Sequence, residues 1–171
     1  QRLYDEVVIS GDVPMNLAIT GLFSHAFILT GEEKYRRWVL DYLGAWMQRT
    51  RENGGIIPDN IGLSGRIGEN RGGQWWGGFF GWTGRYSVWM IFHALITATE
   101  SAYLLSGDHC YLDFLRSQID VLLDRAIHRD GNLLVPYKVG PQGWFDYRPL
   151  DPYILGHLWH ASMEPQDWER L

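Results

Sequence analysis

The chain contains an internal repeat, and this is the sequence feature that most limits how it can fold. Phe27–Tyr35 aligns with Tyr103–Tyr111 at an offset of 76 residues, and both segments carry Thr-Gly or Ser-Gly, an acidic residue and a final Tyr. The same offset places Gly55 on Gly131, each ahead of an apolar stretch and a proline. Each copy predicts two helices joined by a short turn, and such hairpins bury their apolar faces by stacking on one another.

Apolar residues at helical spacing place the hairpins along the chain. The first hairpin is expected at about 14–51 and the second at about 86–128, with breaks at Gly31 and Gly107. A third, truncated copy is expected from about Tyr153. The sequence therefore predicts one all-α domain over residues 1–171, formed by helical-hairpin repeats that make up an incomplete α/α toroid with long loops between hairpins.

The two ends of the chain suggest a segment of a longer protein. The chain begins Gln1-Arg2-Leu3-Tyr4 with neither an initiator Met nor a signal-peptide pattern, and it stops at Leu171 inside an expected helix. An open toroid exposes the apolar sides of its terminal hairpins. We therefore expect those sides to be covered by the remainder of a longer chain or by self-association.

Composition excludes several classes of protein. The net charge is −5 and no basic run is present, which argues against nucleic acid as a partner. The apolar stretches are shorter than the roughly 20 residues that span a bilayer, so no membrane partner is expected. Cys110 is the only cysteine, so an intrachain disulfide framework and a cysteine metal cluster are both excluded.

Two segments between the hairpins are longer than helix connections need to be. They run from about 52 to 85 and from about 129 to 152, whereas about 2–8 residues suffice in a bundle. Eleven of the chain's 20 glycines lie between Gly54 and Gly84, among several large aromatic residues. Glycines that permit close backbone approach, together with aromatic anchors, are typical of a rigid ligand cleft.

The repeated turn and the Trp-Gly-Gly-Phe-Phe-Gly stretch at 76–81 resemble the six-hairpin glycosidase superfamily of α/α toroids. The closest local similarity is to unsaturated glucuronyl hydrolases, which carry an Arg-Asp-Trp-Thr-Ser-Gly-Phe-Phe-type stretch whose Asp is the general acid and base. The matching positions are 73–80, and Gln74 stands where that group has its Asp. The resemblance implies an enzyme acting on carbohydrate, without a cofactor, in the periplasm or outside the cell.

A glycoside hydrolase needs two carboxyl groups across the scissile bond. Asp59 and Glu69 are the only acids between Gly54 and Arg85 and form the proposed catalytic pair, with Asp146 and Asp151 of the second loop in reserve. The structural alternative is that Asp59 bonds its own backbone in a turn and that Glu69 pairs with a neighbouring arginine.

A lyase acting on a uronate polymer needs different groups. A cation or amide must neutralise the uronate carboxylate, and a Tyr or His must remove the adjacent proton. Tyr86 or His93 could be that base. Three Arg against two acids within Gly54–Tyr86 favour an anionic ligand mildly, although salt bridges within the loop explain the balance equally well. The candidate carboxylate-binding residues are Arg66, Asn70, Arg71, Gln74 and Arg85.

Sugar-binding residues complete the predicted site. Asn60 is a polar candidate beside Asp59, and at least one of the loop tryptophans is expected to face the cleft while another belongs to the core. His157 and His160 lack a carboxylate at metal-binding spacing, so no metal site is predicted. The candidate aromatic platforms are Trp75, Trp76, Trp82, Trp144 and Tyr147.

The sequence predicts a glycoside hydrolase acting on a uronate-containing oligo- or polysaccharide. Two alternatives stay open: a polysaccharide lyase on the same fold, and a sugar-binding or helical-repeat interaction module without catalysis. New C=C absorbance would identify a lyase, and reducing-end release without it would identify a hydrolase.

Overall fold

The computed structural model of the chain describes residues 11–171. The expectation for the start of the chain, at Gln1–Tyr4, lies outside these residues. A 3-10 helix at Pro14–Ile19 leads into the first α-helix, and Glu69–Arg71 forms a second 3-10 turn. The α-helices are α1 (Thr20–Thr30), α2 (Glu33–Glu52), α3 (Ser87–Ser106), α4 (Cys110–Leu123), α5 (Pro152–Ser162) and α6 (Pro165–Trp168).

The two helical hairpins, α1–α2 and α3–α4, have turns of the same geometry. Gly31 and Gly107 both lie in the left-handed region, with φ of 68° and 71°. Their N–H groups donate 2.7 Å hydrogen bonds to the carbonyls of Phe27 and Tyr103, respectively. The left-handed conformation is the common end of a helix and favours glycine. The sequence repeat at these turns therefore corresponds to a repeated local structure.

Helix α3 lies at the centre of the fold. It contacts the 3-10 helix, α1, α2, α4 and α5. It is the one described helix long and apolar enough, by length and composition, to cross a membrane, and more than half of that span is buried inside the protein. Burial on several faces accounts for an apolar helix of this kind. Its fully buried side chains include Val88, Ile91, Phe92, Leu95 and Ala98.

The prediction of an all-α toroid is wrong, because the second long loop is a β-sheet. Strands β3 (Ile127–Arg129), β4 (Asn132–Gly140) and β5 (Gly143–Arg148) form an antiparallel sheet in that order. Strands β1 (Gly11–Asp12) and β2 (Ile61–Gly62) form a second antiparallel pair. The described chain is therefore mixed α and β.

The composition of the second loop gives the physical reason. Val, Tyr, Trp and Phe are enriched at 135–147 and favour a pleated, half-buried strand over an irregular loop. Val139 and Trp144 lie opposite each other in the register of β4 and β5, and Gly143, with φ of 96°, begins β5 directly after the turn at 141–142. The strand ladder also pairs backbone groups that an irregular loop would leave to water.

An ion-pair network attaches the C-terminal helix α6 to α4. Asp167 is fully buried, and its carboxylate accepts hydrogen bonds from Arg116 Nε at 3.1 Å and from Arg116 Nη2 at 2.7 Å. Arg116 also contacts Asp113 at 2.6 Å and Glu164 at 3.3 Å. Such a buried ion-pair network is costly to break, because removal of one partner leaves an unpaired charge.

Candidate functional site

Asp59 is the centre of the glycine-rich loop. Its side chain is fully buried, and its carboxylate accepts backbone hydrogen bonds from Gly77 and Gly78 at 2.9 Å and from Trp82 at 2.8 Å. Asn60 Nδ2 donates a further bond at 3.0 Å. A carboxylate that is buried and bonded on both oxygens organises the loop. Its contacts differ from those predicted for a catalytic acid facing a sugar.

Glycine is required where the loop wraps around Asp59. A Cβ atom on Gly81 would lie 2.1 Å from Asp59 Oδ2, and one on Gly78 would lie 2.7 Å from the Asp59 carbonyl oxygen. These separations are far below van der Waals contact. The dense glycine pattern therefore serves close backbone approach to one buried carboxylate.

Trp82 belongs to the core. It is fully buried, and its Nε1 atom donates a 2.8 Å hydrogen bond to the Ile57 carbonyl. Its ring meets Trp144 edge-on at 5.2 Å, and Trp75 lies 6.4 Å from Trp144. Trp75 and Trp76 are half-buried against the core. These rings anchor the loop to the sheet, and Trp82 is a loop tryptophan that belongs to the core rather than a sugar platform.

Other predicted polar groups are also bonded within the loop. Glu69 accepts hydrogen bonds from Arg66 at 2.9 Å and from the Ser64 N–H at 3.1 Å. Both hold the pKa of Glu69 below its usual value, Arg66 more strongly. Asn60 donates to the Gln74 carbonyl at 3.1 Å, and Gln74 Nε2 donates to the Trp76 carbonyl at 2.8 Å. Glu69 is thus paired with Arg66, as the structural alternative expected.

The reserve acids have structural partners as well. Asp146 accepts hydrogen bonds from Arg148 at 2.9 and 2.7 Å and contacts Lys138 at 3.1 Å. Asp151 precedes α5 and accepts a 3.0 Å bond from the Tyr153 N–H, which caps that helix. Both carboxylates therefore have roles in local structure.

Part of the predicted site does converge on an open cleft, which we call the main cleft. It has a volume of about 690 Å³, and it places Arg71 and Arg85 together. Asn70 directly precedes Arg71 in the sequence, within the 3-10 turn Glu69–Arg71. The cleft is lined by Arg71, Gly77, Gly78, Phe79, Phe80, Gly81, Thr83, Gly84, Arg85, Tyr86, Ser87 and Met90.

The main cleft is cationic and aromatic. Within residues 11–171, no Asp or Glu lines it, and neither Arg71 nor Arg85 has an ion-pair partner within 4 Å. The Arg85 guanidinium lies 5.4 Å from the centre of the Tyr86 ring. Phe79 and Tyr86 are 61% and 55% exposed, which is unusual for large rings and leaves them available to a ligand.

A second opening, the side cleft, adjoins the first. It has a volume of about 500 Å³ and is lined by Arg85, Tyr86, Trp89, Tyr137 and Arg148. The last three residues were not predicted from the sequence. Trp89 lies three positions after Tyr86, the residue that precedes α3, so both rings lie on one side of the start of that helix. This spacing could have indicated Trp89. Tyr147 and Trp144, which were predicted, line neither cleft.

A third cleft differs in charge. It measures about 630 Å³ and is lined by Asp12, Met15, Asn16, Ile19, Trp38 and Tyr42. The Asp12 carboxylate accepts hydrogen bonds from the Tyr42 hydroxyl at 2.7 Å and from Trp46 Nε1 at 3.2 Å. These bonds tie the start of the described chain to α2. A carboxylate in place of an arginine makes this cleft a poor site for an anion.

Histidines form a separate cluster between α3 and α5. The rings of His93 and Tyr153 stack at 4.5 Å, and His157 Nδ1 lies 2.8 Å from Glu100 Oε1. Burial lowers the pKa of His93, whose Nε2 atom is buried without a hydrogen-bond partner. Within the described part of the chain, no three His, Cys, Asp or Glu side chains are grouped to hold a metal ion.

The chain belongs to the family described as a domain of unknown function, DUF8034, which matches residues 2–132. No curated protein matches the chain, and no solved structure matches it. The matched region contains both helical hairpins and all residues of the main cleft, and it ends at the start of β4. The family description carries no function.

Proposed function

We propose that the main cleft binds an acidic saccharide of the uronate class. The observation that supports this most is the presence of both Arg71 and Arg85 in one cleft whose lining, within residues 11–171, contains no carboxylate. Arginine presents several N–H donors in a planar fork that matches a carboxylate, and charge-assisted bonds of this kind are about twice as strong as neutral ones. The whole chain has a net charge of −5, yet two arginines line this cleft, so the cleft is suited to an anion.

The aromatic residues support a saccharide over a small inorganic anion. Phe79 and Tyr86 expose their rings beside the arginines, and Phe80 meets Phe79 edge-on at 4.7 Å. A pyranose ring has apolar C–H faces and polar edges, so it can place a face on such a ring while its carboxylate meets a guanidinium. A pocket with apolar walls and a few polar groups is the usual form of a small-molecule site.

The contacts of Asp59 and Glu69 weigh against hydrolysis as the reaction. Hydrolysis of a glycosidic bond needs two carboxyl groups that flank the bond, about 5–9.5 Å apart, one as acid and the other as base or nucleophile. Asp59 is buried in its own loop, Glu69 is paired with Arg66, and neither lines the main cleft. Glycoside hydrolase activity therefore has less support from the geometry than acidic-saccharide binding does.

Lyase chemistry is a second candidate, favoured by the position of Tyr86. Its phenol lines the main cleft next to Arg85. In a β-elimination the base takes the proton from the carbon beside the uronate carboxylate, the C–H electrons form the C=C bond, and the C–O bond to the next unit breaks. The departing oxygen then takes up a proton from water. Arg85 would neutralise the carboxylate, and Tyr86, as its phenolate, would accept the proton.

Calorimetry with saccharides tests the binding proposal. The probes are oligomers of galacturonate, of alginate and of hyaluronan, with neutral galacto-oligosaccharides of the same length as the comparison. Acidic probes from at least one series are expected to bind and neutral ones not to. Arg71→Ala and Arg85→Ala should each weaken binding by about tenfold, the loss of about 1.4 kcal/mol.

Arg129→Ala is the matched control, because Arg129 is an exposed arginine of β3 that lines neither cleft. The affinity of the Arg129→Ala protein for the acidic saccharides should equal that of the unaltered protein. Equal binding of neutral and acidic probes, or no binding across all three acidic series, would contradict the proposal. Absorbance of a new C=C bond in the same mixtures, absent in Tyr86→Phe, would support the lyase candidate.

A further inference from the structure

We infer that the main cleft and the side cleft are consecutive subsites for a single acidic chain, so that the ligand is an oligomer with carboxylates on successive units. This inference rests on the proposed function. The two clefts share Arg85 and Tyr86, which therefore form the boundary between them. A ligand that passes over Tyr86 would contact both clefts without leaving the protein surface.

The two clefts repeat one arrangement of a guanidinium beside an aromatic ring. Arg85 lies 5.4 Å from the ring centre of Tyr86, and Arg148 lies 5.6 Å from that of Tyr137. Trp89 adds an exposed ring to the side cleft, 6.4 Å from Tyr86. A polymer of similar units is matched by a surface that repeats the same pair of groups.

Charge in the side cleft also favours an anion. Arg148 and Lys138 both contact Asp146, at 2.7 and 3.1 Å, so two cations share one carboxylate. A guanidinium has five N–H donors, and the two bonds to Asp146 leave others for a ligand. With Arg85 at its other edge, the side cleft keeps an excess of positive charge.

Hydrogen bonds fix the two clefts relative to each other. Ser87 Oγ donates to the Tyr137 carbonyl, which ties the start of α3 to β4. The Val139 N–H donates to the Trp82 carbonyl at 3.2 Å, and the Tyr137 hydroxyl donates to the Pro149 carbonyl at 2.9 Å. Because the walls are already held together, a chain spanning both subsites has little protein ordering to oppose its binding.

The combined volume of the two clefts is large enough for more than one sugar unit. The main cleft measures about 690 Å³ and the side cleft about 500 Å³. Each lies within the roughly 300–1,000 Å³ of a small-molecule site. The two together offer room for successive rings, with the carboxylate of one near Arg71 and Arg85 and that of the next near Arg148.

The test is calorimetry with mono-, di-, tri- and tetrasaccharides of whichever acidic series binds, on the unaltered protein and on Arg148→Ala. The unaltered protein is expected to bind the tetrasaccharide about tenfold or more tightly than the monosaccharide, the effect of one additional charged contact. Arg148→Ala should lose that gain and keep its monosaccharide affinity within about twofold. Arg71→Ala should weaken all four lengths, and Arg129→Ala none.

The outcomes separate the inference from the proposed function. Equal affinity for all lengths in the unaltered protein would overturn the subsite inference and leave the proposed function standing. Equal loss at every length in Arg148→Ala would also overturn it, because the clefts would then act as one site. No binding of any acidic probe would overturn the proposed function itself. The length series on the unaltered protein needs no variant to fold.

Discussion

The carboxylate of Asp59 accepts a 2.8 Å hydrogen bond from the backbone N–H of Trp82, 23 residues further along the chain. This bond closes the glycine-rich loop onto the core, because the Trp82 ring is itself fully buried. The main cleft is formed by the same stretch of backbone, between Gly77 and Ser87. The buried Asp59 carboxylate therefore holds in place the backbone that forms the wall of the main cleft.

Replacement of Asp59 by Asn should lower the free energy of unfolding by about 2–4 kcal/mol, since an amide turns an N–H₂ group toward backbone donors and removes a charge-assisted acceptor. Urea denaturation measures the loss. Asp41→Asn, at an exposed position on α2, should change stability by less than about 0.5 kcal/mol. An Asp59→Asn protein that is as stable as the unaltered one would mean that these bonds do not hold the loop.

Gly81→Ala should destabilise the protein by about 1–3 kcal/mol, the usual cost of overpacking. Its Cβ atom would lie 2.1 Å from Asp59 Oδ2, so the loop must move. Gly44→Ala is the matched substitution at an open position inside α2, with no neighbour within 4 Å of the new atom. It should stabilise by up to about 1 kcal/mol. Thermal unfolding compares the two, and equal effects would count against the close approach to Asp59.

Asp167→Asn should lower stability at neutral pH by about 3 kcal/mol, because Arg116 would keep its charge and lose its main partner. Burial alone would raise the pKa of Asp167, but the hydrogen bonds from Arg116 and Ser162 and the charges of Arg116 and Arg170 together outweigh it and hold the pKa below the ordinary value. The stabilisation is therefore complete above about pH 4 and is lost as the pH falls through the lower folded-state pKa. The difference between the two proteins should narrow below pH 4. A constant difference from pH 7 to pH 2 would contradict this account.

Protonation of His93 should destabilise the fold. Burial lowers its pKa, Asp151 opposes that shift, and His157 adds to it. The unfolded chain takes up its proton near pH 6.5, so stability falls as the pH drops from about 6.5 toward the lower folded-state pKa. His93→Phe keeps a ring against Tyr153 and should flatten this part of the pH profile. Urea denaturation at pH 7, 6 and 5 measures it, and an unchanged slope in the variant would show that another group titrates.

The hairpin turns could be predicted because their cause is local. Gly31 and Gly107 adopt the left-handed conformation that ends a helix, and the residues around them repeat in the sequence. The sequence does not predict the sheet of β3, β4 and β5, because glycines among aromatic residues are also typical of a long irregular loop. Strand pairing depends on partners such as Val135 and Arg148, whose approach is not visible in a local pattern.

Some of the predicted site residues come together in the structure, whereas the two predicted catalytic acids, Asp59 and Glu69, do not line the main cleft. Arg71, Arg85 and Tyr86 were predicted and do line one cleft. An acid in a glycine-rich loop can be either a catalytic group or a buried hydrogen-bond acceptor, and the sequence does not distinguish the two. The fold shows that Asp59 is a buried acceptor. Arg148 and Tyr137 join the side cleft from a distant part of the chain, through the packing of β4 and β5 beside α3.

Chemical-shift mapping with an acidic trisaccharide tests the central claim most directly. The account predicts that the largest backbone changes in ¹⁵N-labelled protein fall at 77–87 and at the side-chain Nε atoms of Arg71 and Arg85, and that a neutral trisaccharide of the same length leaves them unchanged. The largest changes at the third cleft, around Asp12 and Trp38, or the same changes with the neutral sugar, would contradict it.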